Sequence, residues 1–459
     1  MAWWCCRSSA AEHGRSQAEQ RRRLARAGFA ALALVVHPYV SPAHATPPAM
    51  DLQHLIDHAP RDADGSAVLT LRAVPGLTTV VVDAPLHLTA GLHLTVAPGL
   101  VLQASNDQGR TDRTRPVFII AGTPEAPIAN VALRGVRLHG NFAHPPIVIH
   151  NAAGITIADG EIAGSRGGGI EVNTGRRVSI SGMTMHFMRV PSTDPAARSV
   201  VPPEGGAGIW CFACNDTTVS NNSLDATPFW QPGPSWDSGN AAVCITGKVR
   251  PGCTMSRTAD DLARALDLIA FYGGARNTIA GNRLTHGNTA GVYINIYSKP
   301  NAEFPANPTD FRVQSNQISD MREHGIDMVG AIRPSISANR IAHVGGAGIA
   351  LATTHAAVIT GNTIGFTAEA WHSPSAHKQT GGIKLMLQTA ECQITANHIA
   401  PGGAAYAIFF ENGTARNIAG GPSPTLDNSM SPGSDGLANT GLPPDTNEVW
   451  MLGRRINRN

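Results

Sequence analysis

The chain has 459 residues, of which 15% are charged, 5% are aromatic and 48 are glycine. This composition favours many short strands and turns and argues against a protein built from long surface helices. The basic and acidic residues nearly balance, with a formal net charge of +2, which argues against a broad nucleic-acid-binding surface.

Residues 1–45 have the layout of a secretory signal peptide, with a buried N-terminal helix as the alternative. Arg21, Arg22 and Arg23 precede an apolar run, and Ala43 to Ala45 offers a small-x-small cleavage site. The run is shorter than the ~20 residues that cross a bilayer, so we expect no membrane span. We expect an exported protein, periplasmic or extracellular, whose remaining chain carries a net charge of −2 once six arginines and two glutamates are removed. No nucleic-acid partner is expected.

Residues 46–64 are expected to form an N-terminal cap. The sequence MDLQHLIDHA, from Met50 to Ala59, has the pattern of an amphipathic helix. Such a helix would cover the first coil of a repeat structure, since an exposed sheet edge invites aggregation.

A repeat of about 23 residues dominates the region from residue 65 to 421. Gly325-Ile326 returns as Gly348-Ile349, and Ile336 returns as Ile359. Apolar residues alternate within each unit, which is the period of a strand. A unit this short cannot bury its apolar face alone, so the units must stack on one another and form an all-β solenoid with the isoleucines inside.

Asparagines recur at one position of this repeat and are interpreted as structural. Side-chain amides tolerate left-handed turns and can hydrogen-bond to the next coil. Six copies carry the asparagine: Asn222, Asn282, Asn316, Asn339, Asn362 and Asn397.

The repeat resembles the right-handed parallel β-helix superfamily, which includes pectate lyases, polygalacturonases, alginate lyases and mannuronan C5-epimerases. The resemblance covers residues 65–421 and implies that fold, with a loose C-terminal tail from 422 to 459. HGIDMVG, from His324 to Gly330, is also similar to the Gly-aromatic/aliphatic-Asp-Pro-His-Asp segment of C5-epimerases. Only the match up to Asp327 holds, because the proline, histidine and second acid of that segment are absent. No calcium-binding aspartate cluster is found, so we expect no metal or cofactor.

The strand alternation predicts which side chains leave the solenoid near Asp327. Tyr293 should lie one coil before Asp327 and Lys384 two coils after it, while Glu171 lies four coils before it, about 19 Å away at the spacing of sheet strands. These positions make Asp327, Tyr293, His324 and Lys384 the candidate catalytic residues. The neighbouring turns and long loops supply candidate substrate-binding residues: Arg322, Glu323, His286, Trp371 and Lys378.

The long loops on both sides of these strands should form the walls of a groove. Such a groove suits a polysaccharide or oligosaccharide, and the lysines beside it favour an acidic one. In a lyase or C5-epimerase, Asp327 or a cation would neutralise the sugar carboxylate, and Tyr293 or His324 would move the C5 proton. A glycoside hydrolase is the first alternative, with Asp327 and Glu323 as the carboxylate pair. A non-catalytic glycan-binding or scaffold protein is the second.

The cysteines carry a separate expectation. Cys244 and Cys253 flank a short loop and are the favoured disulfide in an exported chain. Cys211 and Cys214 form a C-x-x-C sequence that is either a zinc half-site, a redox pair or, as the favoured interpretation, two buried or disulfide-linked cysteines.

Overall fold

A computed structural model describes residues 51–73, 78–104, 116–142, 145–165, 168–187, 206–227, 266–287, 289–297, 303–367, 381–402, 406–411, 413–420, 428–430, 437–439, 448–451 and 454–455. In these ranges the chain is a solenoid of short parallel strands with one short helix at its beginning. The strands stack in three rows that run along the axis, and each coil contributes one strand to each row.

Row 1 begins most coils and carries the Gly-Ile strands. Its members are β3 (Leu86–His87), β6 (Phe118–Ala121), the first part of β9 (Ile147–Ala158), the first part of β11 (Gly168–Ser181), β13 (Gly206–Phe212), β16 (Leu266–Tyr272), β19 (Val292–Asn295), β22 (Ile326–Val329), β25 (Ile349–Ala352), β28 (Gly381–Met386), β31 (Tyr406–Phe410) and β34 (Leu437–Asn439).

Row 2 follows row 1 within each coil, and β9 and β11 run through both rows. Its other members are β1 (Ala67–Leu71), β4 (Leu92–Val96), β7 (Ile128–Arg134), β14 (Thr218–Ser220), β17 (Thr278–Ala280), β20 (Arg312–Gln314), β23 (Ser335–Ser337), β26 (Val358–Thr360), β29 (Gln393–Thr395), β32 (Ile418–Ala419) and β35 (Glu448–Met451). A last strand, β36 (Arg454–Arg455), pairs antiparallel with β35.

Row 3 closes each coil and forms a separate sheet. Its members are β2 (Thr79–Val82), β5 (Val101–Ala104), β8 (Arg137–Phe142), β10 (Glu161–Ser165), β12 (Thr184–Phe187), β15 (Ser223–Asp225), β18 (Arg283–Thr285), β21 (Gln317–Met321), β24 (Arg340–Val344), β27 (Thr363–Thr367), β30 (His398–Gly402) and β33 (Ser429–Met430).

The core is a set of apolar ladders in the register that the 23-residue repeat predicts. Ile326 pairs with Ile349 in row 1, and Ile336 pairs with Ile359 in row 2. All four side chains are fully buried. Parallel pairing places like residues on like, so one continuous apolar core runs along the described solenoid.

The repeated asparagines form a buried ladder between rows 2 and 3. The Oδ1 atom of Asn339 accepts from the backbone N–H and from Nδ2 of Asn316, at 3.0 and 2.9 Å, and the same pattern repeats from coil to coil. The predicted bond to the next coil is present, but the predicted left-handed conformation falls on the preceding residue, as at Ser315 (φ 56°) and Ala338 (φ 54°). The asparagine therefore turns its amide inward to satisfy backbone groups that the bend leaves unpaired.

A short helix, α1 (Leu52–Asp57), precedes the first strand, within the segment expected to form a cap. The side chain of Asp51 accepts a hydrogen bond from His54 N at its start, and Leu52 and Ile56 are buried in the core. Gln53 exchanges two hydrogen bonds with the backbone of His87 in β3. The helix is shorter than the sequence pattern over Met50 to Ala59.

The region expected to be a loose tail contains strands in its described residues. Leu437 in β34 pairs with Ile408 in β31, and β35 pairs with β32. Asn428 extends the asparagine ladder, because its Oδ1 accepts from the N–H and Nδ2 of Asn397. The Pro- and Gly-rich composition of this region did not predict these strands. A strand at the end of the solenoid is stabilised by pairing with the preceding coil, so its own residues need little intrinsic preference for the β conformation.

Candidate functional site

The outward-facing side chains of row 1 follow the predicted order. Tyr293 pairs with Asp327 on adjacent strands, Asp327 pairs with Ala350, and Ala350 pairs with Lys384. Glu171 lies at the same position four strands before Asp327. At a strand spacing of about 4.8 Å, Tyr293 and Asp327 are neighbours, while Lys384 is about 10 Å beyond Asp327.

Asp327 sits in an environment that favours its protonated form. Burial raises the pKa of its carboxyl to about 8, and the negative charges of Glu323 and Asp267 act in the same direction. Lys384 opposes this rise. Near neutral pH this carboxyl is therefore mostly protonated, which makes it a proton donor at a place where an ordinary surface aspartate would be an anion.

Tyr293 is held as a neutral phenol beside Asp327. Burial raises the pKa of Tyr293 well above its usual value, and the nearby charge of Asp327 raises it further. Asn295 Nδ2 donates to the Tyr293 hydroxyl oxygen at 2.6 Å, which fixes the phenol along the outward side of β19. A phenol in this state can donate a proton but is a poor proton acceptor.

Lys384 is the cation on the other side of Asp327. Burial lowers the pKa of its ammonium group, while Glu411 and Asp327 both oppose that change. Its Nζ lies 5.7 Å from the centroid of the Phe409 ring, on the next strand of row 1. The aromatic face therefore helps to hold the charged end of the side chain in place.

His324 and Asp267 occupy equivalent positions two coils apart, and the sequence analysis did not identify Asp267. Ala290 N donates to Asp267 Oδ1 at 3.0 Å, and Ala347 N donates to His324 Nδ1 at 2.9 Å. Both acceptors stand 23 residues before the alanine they bind, and this spacing is the signal that could have found Asp267. Thr289 also donates to Asp267, at 2.5 Å.

Glycine makes room for the imidazole at the equivalent place in the later coil. A Cβ added at Gly346, which corresponds to Thr289, would lie 2.5 Å from His324 Nδ1. Because Nδ1 accepts a hydrogen bond, neutral His324 carries its proton on Nε2. It can take up a second proton at Nδ1 only by giving up the bond from Ala347.

The remaining predicted binding residues are placed around two different turns. The backbone N–H groups of Arg322 and Glu323 donate to Gly287 and Thr289 of the preceding coil, which holds this turn at the edge of row 1. His286 instead lies after row 3, where its Nδ1 is 3.0 Å from Asp225 Oδ1. No described contact connects His286 to Asp327.

Several predicted residues lie outside the described ranges: Trp371, Lys378, Cys244 and Cys253. Cys211 and Cys214 are free thiols buried in the core, and burial raises the pKa of Cys211 well above its usual value. Within the described ranges, no three His, Cys, Asp or Glu side chains are grouped as a metal site would need. Nor does any described helix combine the length and apolar character required to cross a membrane.

Comparisons with known proteins agree with this architecture. The family model described as a right handed beta helix region matches residues 267–421. No curated protein sequence matches the chain. The fold is similar to the A-module of mannuronan C-5 epimerase AlgE6 from Azotobacter vinelandii, with 14% identity, 87% of this chain and 92% of that chain covered, and a TM-score of 0.57.

Two further structures have similar folds. The AlgE4 A-module of the same organism has 14% identity, coverage of 87% of this chain and 94% of that chain, and a TM-score of 0.56. A tailspike protein of E. coli bacteriophage HK620, in complex with a pentasaccharide, has 11% identity, coverage of 83% and 62%, and a TM-score of 0.53. At these identities the likeness concerns the fold, and it confirms the predicted right-handed parallel β-helix.

Proposed function

We propose that this protein is an enzyme that transfers protons on a polysaccharide bound along row 1, and more narrowly a lyase or C5-epimerase for an acidic polysaccharide. The observation that carries the proposal is Asp327, a carboxyl with a pKa raised to about 8 beside the Tyr293 phenol. Carboxyl groups whose pKa is strongly shifted by burial and by neighbouring charges are typical of acid–base catalytic sites. The fold likeness to two C-5 epimerase modules agrees with it.

In this scheme the protonated carboxyl of Asp327 hydrogen-bonds to the carboxylate of the sugar. That bond stabilises the negative charge that grows on the substrate carboxylate as the C5 proton leaves, and so makes that proton easier to remove. It also explains how an anionic sugar can bind near Glu323 and Asp267, since Asp327 presents a hydrogen-bond donor there. Lys384 adds a positive charge on the far side.

Tyr293 and His324 are suited to opposite steps of proton transfer, one as a donor and the other as an acceptor. Tyr293, a neutral phenol, is suited to return a proton to the sugar ring or to the leaving oxygen. His324 can accept the C5 proton at Nδ1 once the bond from Ala347 N is released. Epimerisation needs the two groups on opposite faces of the ring, and elimination needs the proton delivered to the bond that breaks.

A glycoside hydrolase is the second candidate, and Asp267 is the observation that favours it. Hydrolysis needs one protonated acid and one carboxylate near the scissile bond. Asp327 fits the acid, and Asp267 joins Glu323 as a carboxylate whose charge reaches Asp327. The sequence analysis offered Glu323 alone for that role.

Export also belongs to the proposal, because a polysaccharide of this kind is met outside the cytoplasm. It depends on the signal-like residues 1–45. We expect the N-terminus of protein recovered from the producing cell to lie near Thr46, and mass spectrometry of that protein would show it. Recovery of active protein that still begins with Met1 would contradict export.

The test of function is a panel of uronic and neutral polysaccharides with three readouts. Ultraviolet absorbance detects the unsaturated product of a lyase, proton NMR of C5 detects epimerisation, and new reducing ends without absorbance indicate hydrolysis. We expect one of the first two signals, with kcat/KM falling as the pH rises through about 8, where Asp327 loses its proton. Binding without any turnover would support a scaffold, and no binding to any polysaccharide would overturn the proposal.

A further inference from the structure

Four aromatic side chains form a continuous cluster on the outward side of row 1, ending at the catalytic candidates. The Trp210 and Phe212 rings lie 5.4 Å apart, Phe212 stacks on Tyr272 at 5.0 Å, and Tyr272 meets Tyr293 edge-on at 5.9 Å. The cluster packs with the fully buried Ala207 and Ala270 and is separate from the solenoid core. The rings therefore lie outside the apolar core that runs through the coils.

The rings keep accessible area although the cluster is well packed. Phe212, Tyr272 and Tyr293 are half-buried, so each presents part of its surface outward. Stacked and edge-on packing holds the rings in fixed positions, which reduces the entropy lost when a ligand orders them. Ala270, between Trp210 and Tyr293 in the same line, is fully buried among these rings, so the rings themselves form the outer surface there.

The indole N–H of Trp210 is an independent observation that points to a ligand, because no described residue provides a hydrogen-bond acceptor for it. Its side chain is 6% exposed, yet its Nε1 has no hydrogen-bond partner among the described residues. A buried N–H without an acceptor destabilises the structure that contains it. A ligand hydroxyl or ring oxygen would remove that penalty.

The polar groups at the two ends of the cluster differ. Tyr293 and Asp327 stand at one end, and Glu171 stands at the other, where its carboxylate lies 3.3 Å from His150 Nε2. No charged side chain is described at the outward positions between Glu171 and Tyr293, which Trp210 and Ala270 occupy. The surface between them therefore suits the uncharged C–H faces of sugar rings.

We propose that Phe212 and Tyr272, which pair on adjacent strands, bind successive pyranose rings of the polysaccharide on the side of Asp327 that leads toward Glu171, and that Trp210, beside Phe212 on β13, contributes its N–H to the same site. The chain then runs parallel to the solenoid axis, over about 14 Å from Asp327 to Trp210 at the strand spacing, with the Trp210 N–H donating to a sugar oxygen. This inference rests on the proposed function, because it places the reacting sugar at Asp327. It predicts that most of the bound sugar chain extends from Asp327 toward the N-terminal coils of the solenoid.

The test measures binding of oligosaccharides of increasing length by calorimetry, in an Asp327→Asn background that prevents turnover. The probes are oligomannuronate and oligogalacturonate, with cello-oligosaccharides as neutral equivalents. Tyr272→Leu and Phe212→Leu remove a ring and keep apolar bulk, and each should weaken Kd about five- to tenfold for long oligomers and much less for short ones. Trp210→Phe keeps a ring and removes the N–H.

Tyr406→Leu is the matched control. Tyr406 is a half-buried row 1 tyrosine that stacks on Phe409, on the far side of Lys384. Its loss should leave Kd unchanged. A loss of affinity with Tyr406→Leu and none with Tyr272→Leu would overturn the inference, as would no binding at all. Failure of the catalytic proposal is seen separately, as binding that depends on Tyr272 in a wild-type protein that turns over no polysaccharide.

Discussion

The asparagine ladder and the outward face at Asp327 both carry polar side chains with little exposure, but the two regions differ in how regularly those side chains repeat and how fully they are hydrogen-bonded. In the ladder every coil repeats one residue type, and each amide of Asn316, Asn339 and Asn362 finds the same partners. On the outward face the residue changes at every strand, from Tyr293 to Asp327 to Ala350. There the pKa values of Asp327 and Tyr293 move away from their usual values.

This difference separates polar residues that build the fold from those to which we assign the proposed chemistry. A repeated, fully hydrogen-bonded amide lowers the energy of every coil and gains nothing from being reactive. A carboxyl that appears once, and is pushed toward its neutral form by burial and like charges, destabilises its own coil. Such a residue persists where the proton it holds is used.

The apolar ladder lies beneath both regions, and breaking that ladder should have the largest effect on the protein. Ile349→Asp places a carboxylate in the fully buried line between Ile326 and Ile383, with no partner for its charge. We expect no soluble protein, measured by expression and fractionation. Val358→Asp, one position before the buried Ile359 but 40% exposed on the outer side of row 2, is the control and should remain soluble. A normally folded Ile349→Asp protein would contradict the register.

The next effect tests the outward face itself. Asp327→Asn keeps the shape of the side chain and removes its acid group, so turnover should fall by about a hundredfold or more. Glu171→Gln makes the same change four strands away, and turnover should change much less. The measurement is the initial rate on whichever polysaccharide is processed. Equal and small effects from the two substitutions would show that chemistry occurs elsewhere in the groove.

The sequence predicts the fold well because the fold depends on residues that recur at a regular spacing along the chain. Isoleucines and asparagines at an offset of 23 become ladders, and the outward order from Tyr293 to Lys384 follows from alternation alone. Asp267 was missed because it lies two residues before Ile269, ahead of the strand positions from which the outward side chains were predicted. The structure places it within β16, which begins at Leu266.

The protonation of the site could not be predicted from the sequence. The raised pKa of Asp327 requires burial together with charges from Glu323 and from Asp267, which lies two coils earlier. The sequence-based interpretation of His324 as an acid–base group likewise could not include the hydrogen bond from Ala347. These properties arise from contacts between coils whose side chains do not repeat.

A smaller effect should follow from breaking the asparagine ladder. Asn339→Ala removes the acceptor for Asn316 N and Nδ2, and the donor to Val313 O. Leaving these buried groups unpaired should lower the free energy of unfolding by about 2–4 kcal/mol. Chemical denaturation measures it, with Ser337→Ala, a half-buried change on the adjoining strand, as the control. Turnover per folded molecule should stay near the wild-type value, and a large loss there would join the two regions functionally.

The smallest effect concerns stability at Asp327, and its sign is opposite to that expected for a ladder residue. In the unfolded chain the carboxyl loses its proton near its usual pKa, 3.8, whereas in the folded protein it holds the proton up to about pH 8. The unfolded state therefore binds fewer protons between these values, and the folded state loses stability as the pH rises through this window. Asp327→Asn has no such proton and escapes the loss. The sequence alone predicts no change, because an outward aspartate is expected to be ionised in both states.

Since Asp327 is only partly buried and its neighbouring charges relax, we expect the free energy of unfolding of Asp327→Asn to exceed that of the wild type by about 1–2 kcal/mol at pH 8 and by much less at pH 4. Thermal denaturation across that range, with Glu171→Gln as the control, measures the difference. Parallel stability curves for Asp327→Asn and the wild type would show that Asp327 is ionised in the folded protein, and would remove the proton donor on which the proposed chemistry depends.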